Sequence, residues 1–192
     1  IAEHRRARLR LAVVGAEVDA DALPLERREV LGDALGRHRR SALAADRAGN
    51  LWVAFDTYET GSYDVRLVQA RADGTVGAPV VVAGTSRYET HPSLAVDRRG
   101  RVWIAYEERT DNWGKDAENL VTGAGSTLYR AASVRVRCLD GERLLDAGSP
   151  VATASEGLNA MNSLPRLVVD GADRVWLAFR HREEAVWGNN LV

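Results

Sequence analysis

"DRRGRVWIAYEER" (Asp97–Arg109) has two near copies in the same chain, "DRAGNLWVAFDTY" from Asp46 and "DGADRVWLAFRHR" from Asp170. Aligned on their tryptophans, Trp52, Trp103 and Trp176 stand 51 and 73 residues apart. A phrase that returns at such a period is the mark of a repeat architecture, in which each unit is one supersecondary structure that cannot bury its apolar face alone. The second interval is the same unit with 22 residues inserted, within Glu107–Leu128.

One full unit reads as four strands. "SALAAD" (Ser41–Asp46), "LWVAF" (Leu51–Phe55), "YDVRLVQAR" (Tyr63–Arg71) and "APVVVAG" (Ala78–Gly84) are apolar or alternating runs, separated by "RAGN", "DTYETGS" and "ADGT". Glycine-bearing turns between such runs are hairpin signals. The next unit supplies "SLAVD", "RVWIAYE", "LYRAASVRVRC" and "SPVATA", and a third begins with "PRLVVD" and "RVWLAF". In the second strand of the middle unit, Trp103 and Ala105 face one side, and Val102, Ile104 and Tyr106 the other. A strand apolar on both faces is covered on both faces, as when sheets stack like blades. The expectation is an all-β, partial β-propeller of consecutive four-stranded antiparallel blades. Its parts are a half blade at 1–36, blades at 37–86 and 87–158, and a half blade at 159–192. In the first half blade, Arg6–Asp21 reads as a third strand with its turn and "ERREVLG" as a fourth. About three blades cannot close a ring of 4–8, so further blades are expected outside the chain, which opens on Ile1.

Composition excludes more than it assigns. Among 192 residues, the charged residues nearly balance at a formal net charge of -1, so no global field favours nucleic acid. Cys138 is the only cysteine, which rules out an internal disulfide or a cysteine-based zinc site. No apolar run reaches the roughly 18 residues of a membrane-spanning helix. Phosphate-cradling glycine loops, a G-x-S-x-G elbow and an H-E-x-x-H pair are all missing. No metal and no cofactor is expected from these patterns.

The repeated D-x-x-G-x-x-W resembles the S-x-D-x-G-x-x-W box of sialidase-type propellers, but its Asp-to-Gly spacing is one residue longer, and the third copy has Asp173 for the glycine. The plainer reading is a hairpin turn with glycine in a left-handed position. A wider resemblance rests on "HPSLAVDRRGRVWIAYEERTDNWGKD" (His91–Asp116), "LYRAASVRVRCLDG", the "YDV" of Tyr63–Val65 and the "WLAFRHR" of Trp176–Arg182. Over about residues 38–182 the chain resembles the propeller region of large bacterial proteins that carry a domain related to PHP-type metallohydrolases. That resemblance implies an extracytoplasmic, multidomain protein, with the remaining blades and a C-terminal domain of the same chain as partners.

Strand order places the candidate site on one face, where the longer polar loops gather. The second strands end on Asp56, Glu107 and Arg180, which could form a polar ring in which Arg180 meets Asp56 or Glu107. Tyr58 and His181 follow two of these ends. Trp113, Lys115 and Asp116, in the long insertion, could wall a central opening. Tyr58, Tyr63, Tyr88, Trp113, Trp187 and Arg180 suit stacking on rings, as in a saccharide-like ligand. Two functions follow. The first is a non-catalytic binding or scaffolding propeller. The alternative is a catalytic propeller of glycosidase or lyase type working through Asp56, Glu107 or Asp116, which needs a carboxylate pair about 5–10 Å apart. Carboxylates ion-paired to arginine would favour the first.

Overall fold

The structure, a computed structural model, describes residues 10–13, 16–19, 40–58, 61–111, 132–147 and 161–182. These residues are all-β, with no helix among them and therefore none long and apolar enough to cross a membrane. Twelve strands form four open antiparallel sheets. A hairpin of β1 (Arg10–Val13) and β2 (Ala16–Asp19) comes first. The first four-stranded sheet runs β3 (Ser41–Ala45), β4 (Leu51–Thr57), β5 (Asp64–Ala70) and β6 (Val80–Ala83) in sequence order. The second repeats that order with β7 (Arg87–Val96), β8 (Val102–Asp111), β9 (Ser133–Asp140) and β10 (Arg143–Asp146). A pair of β11 (Met161–Val169) and β12 (Val175–Arg182) completes the described chain.

The sheets pack face to face, and the alternation of side chains explains how. Ala54, Val65, Leu67 and Val82 of the first sheet meet Val102, Ile104 and Tyr106 of the second in one core, with Trp52 against its edge. The opposite side of β8 carries Ala105, which joins Val134, Val136, Trp103, Leu167, Leu177 and Phe179 in a core shared with the third sheet. The two sides of β8 are thus those read from the sequence. Burial of Ile104 alone, at 0% exposure, contributes about 2–3 kcal/mol. Trp176 occupies the same place on β12 as Trp52 on β4 and Trp103 on β8, yet is 50% exposed.

Several boundaries differ from the sequence reading. Among the described residues, the fourth strand of the second sheet is Arg143–Asp146. It follows a tight turn after β9. Gly141, at φ 61, is the first central residue of a two-residue loop that pairs Asp140 with Arg143 at once. "SPVATA" lies outside the described residues. Within Arg6–Asp21, two short strands pair as a hairpin where one strand and its turn were expected; "ERREVLG" lies outside the described residues. β7 and β11 begin before the "SLAVD" and "PRLVVD" runs, at Arg87 and Met161, and each passes a bulge first.

Candidate functional site

Three equivalent turns fix the start of every second strand. In each, an aspartate carboxylate accepts backbone N–H groups two and four residues on, at Ala48 and Asn50, at Arg99 and Arg101, and at Ala172 and Arg174. Its other oxygen accepts the indole Nε1–H six residues on: Trp52 at 3.2 Å, Trp103 at 3.0 Å and Trp176 at 2.7 Å. The residue three beyond the aspartate is left-handed, Gly49 at φ 81, Gly100 at φ 80 and Asp173 at φ 63. This is the hairpin reading of the repeat, a three-residue loop closed by a left-handed residue. The sequence showed the glycines; it did not show that aspartate and tryptophan bond to each other. Arg101 and Arg174 add a side-chain bond to the same aspartates at 2.7 Å and lie over the indoles at 5.3 and 5.2 Å. Burial, the largest influence on Asp97, pushes its carboxyl up, but the Trp103 and Arg101 bonds outweigh it and leave the group below the usual aspartate range. Asp170 is held lower still, first by Trp176.

At the other end of the second strands stand the expected carboxylates. Asp56 and Glu107 are 2% and 0% exposed. Each shares a face with its tryptophan, so each side chain reaches over the next sheet. Asp56 Oδ2 accepts the N–H of His91 at 3.3 Å, and Oδ1 that of Arg40 at 3.2 Å. Glu107 Oε1 accepts the N–H of Leu164 at 2.7 Å and lies 2.9 Å from His91 Nδ1, while Oε2 accepts from Arg109 Nη2 at 2.9 Å. His91 and Leu164 are equivalent in the repeat. Both precede proline and both have φ 54, uncommon for residues other than glycine. Each carboxylate therefore clips the strained bulge in the first strand of the neighbouring sheet. Burial is the largest influence on Glu107 and raises its pKa. The hydrogen bonds from His91 and Leu164, with the nearby charges of His91 and Arg109, prevail and hold the carboxyl below the usual glutamate range.

Beside Arg109, the rings expected to gather do so in part. Tyr58 and Tyr63 meet at a tilt of 52° with centroids 5.1 Å apart, Tyr63 and Tyr88 meet edge-on at 5.2 Å, and the Arg109 guanidinium lies 5.7 Å from the Tyr88 ring. Tyr58 is 52% exposed. Next to this group, Glu108 Oε1 accepts from Arg87 at 2.9 Å and from Arg135 at 3.0 and 2.9 Å. The sequence reading did not single out this arginine–glutamate cluster, since its members come from three strands.

Arg180 is exposed and meets neither Asp56 nor Glu107, so the expected ring is not formed among the described residues. By alternation Arg180 shares a face with Trp176, over which no described sheet lies. Exposed His181 has Nδ1 2.5 Å from Asn162 Oδ1. Trp113, Lys115, Asp116 and Trp187 lie outside the described residues. Cys138 is a buried free thiol, pushed up in pKa by its burial. No cluster of three or more His, Cys, Asp or Glu suited to a metal ion occurs among the described residues.

Compared with known proteins, the chain matches no family model and no curated protein.

Proposed function

We propose that these sheets are consecutive blades of a β-propeller. In this reading, the chain is a non-catalytic binding or scaffolding region of a larger bacterial protein, extracytoplasmic as the sequence resemblance implies. The remaining blades and a further domain of the same protein would be its partners. The observation that carries the non-catalytic reading is the state of Glu107. It is fully buried, and both of its oxygens are engaged by Leu164, His91 and Arg109. A general acid for glycoside cleavage needs a raised pKa and access to the leaving group; Glu107 has a lowered one and no access.

Binding falls to the ring group of Tyr58, Tyr63 and Tyr88 with Arg109, an amphipathic surface suited to a saccharide-like ring. The test is titration of the full chain with neutral oligosaccharides, maltotriose and cellotriose, followed by intrinsic fluorescence. Saturable binding, lost in Tyr58→Ala, supports the reading. Glycoside hydrolysis lost in both Glu107→Gln and Asp56→Asn would favour the glycosidase or lyase alternative instead.

A further inference from the structure

The inner strands β3, β7 and β11 lie side by side, and a cleft of about 440 Å³ opens along them. Its size is that of a small-molecule site. Arg40, His91 and Arg166 line it together with the apolar Leu43, Leu94 and Leu164. Arg40 precedes β3 and Arg166 lies in β11, with β7 between them.

The charges of this wall are one-sided. Arg40 and Arg166 are exposed, and neither guanidinium meets a carboxylate among the described residues. The Arg166 guanidinium donates to the carbonyl of Pro165, at 2.9 Å. Asp56 and Glu107, which accept backbone N–H groups of Arg40, His91 and Leu164, are buried behind the bulges and do not line the cleft. Glu107 is further balanced by Arg109. The repeat adds an independent argument. Aspartate and tryptophan recur in all three copies where the turn needs them. Two sets of positions at the cleft do not recur, although Leu43 and Leu94 do: Arg40, His91 and Leu164 are equivalent, as are Ala42, Ser93 and Arg166. The scaffold is kept while the polar positions of this wall are varied.

The geometry points to a second ligand site here, for a small anionic molecule. Its carboxylate or phosphate pairs with the guanidinium groups of Arg40 and Arg166, and its body lies over Leu43, Leu94 and Leu164. Guanidinium forks match both oxyanions bidentately and stay charged at every working pH. The inference deepens the binding reading above and rests on it only for the absence of chemistry, since the ring group of Tyr58 is a separate surface.

The experiment is calorimetric titration of the full chain with D-glucuronate and with inorganic phosphate, with D-glucose as the neutral counterpart. Binding of either anion, with glucose inert, is expected. Glucuronate alone assigns a carboxylate ligand and phosphate alone a phosphate ester. Arg40→Ala or Arg166→Ala should each weaken binding about tenfold, the scale of one charge-assisted pair, and the double variant should abolish it. Arg143→Ala, which removes an exposed arginine of β10, should change nothing. Binding of neither anion, equal binding of glucose, or unchanged affinity in the double variant would overturn the inference. Loss of oligosaccharide binding in Tyr58→Ala is read separately, so either site can fail while the other stands.

Discussion

Leu164 donates its backbone N–H to Glu107 Oε1 at 2.7 Å, across 57 residues of sequence and from one sheet to the next. Asp56 makes the corresponding bond to His91 one repeat earlier. Two acids that a sequence reader would choose for catalysis are thereby fasteners between sheets. Removing one should be costly, because its partners stay behind in a buried place.

Glu107→Ala should lower stability by about 3–5 kcal/mol, the cost of breaking a buried ion pair and leaving its partners uncompensated. Glu107→Gln, which keeps an acceptor for Leu164, should cost less. Denaturant midpoints of the two variants check the order; equal and negligible losses would count against the fastening role.

Acid should act through the same group. The folded pKa of Glu107 lies below its ordinary value, so its stabilisation is full above about pH 4.5, where the unfolded carboxyl is also ionised. It fades as pH falls through the depressed folded value. Thermal melts from pH 6 to pH 3 should therefore show a steeper acid loss for the parent chain than for Glu107→Gln. Parallel curves would mean that the group titrates alike folded and unfolded.

Base acts through Tyr106, whose phenol is raised to about 12, chiefly by burial. Here the folded value exceeds the unfolded one, so the stabilisation is full below about pH 10 and is lost as pH rises through 12. Burial raises Tyr88 as well, so spectrophotometric titration should show more than one late-ionising tyrosine, of which the one near 12 disappears in Tyr106→Phe.

The turns predict a graded pair of effects. Asp97→Ala removes the acceptor of Arg99, Arg101 and Trp103 and should cost about 2–3 kcal/mol. The more exposed equivalent, Asp170→Ala, should cost less. Gly100→Ala, at φ 80, should cost about 1 kcal/mol through backbone strain alone, since the added methyl meets nothing within 4 Å. Urea unfolding of the three variants gives the ranking directly.

The repeat was legible because its turn needs particular residues: an acceptor at Asp46, Asp97 and Asp170, a left-handed residue three on, and an indole six on. The two faces of β8 were legible from strict alternation. The strand Arg143–Asp146 was not, because "RLLD" is short and mixed in polarity, and the left-handed Gly141 that turns it back onto β9 shows only in the backbone. Within the candidate site, Asp56, Tyr58 and Glu107 could be chosen by type and place. Their roles could not, since each acid accepts a backbone N–H from another sheet. The left-handed state of His91 and Leu164 before proline left no sign in a single sequence. The cleft beside Arg40 and Arg166 was equally hidden, because it exists only once three inner strands lie together.

The most direct test of the account is a pH titration of the Glu107 side-chain carboxyl by NMR in the full chain, with the Leu164 amide proton followed in the same samples. A fastening carboxylate titrates below the ordinary glutamate value of about 4.5, and the Leu164 amide shifts with the same midpoint. A midpoint above that value, with the Leu164 amide indifferent to it, would mark Glu107 as an accessible acid and contradict the non-catalytic reading.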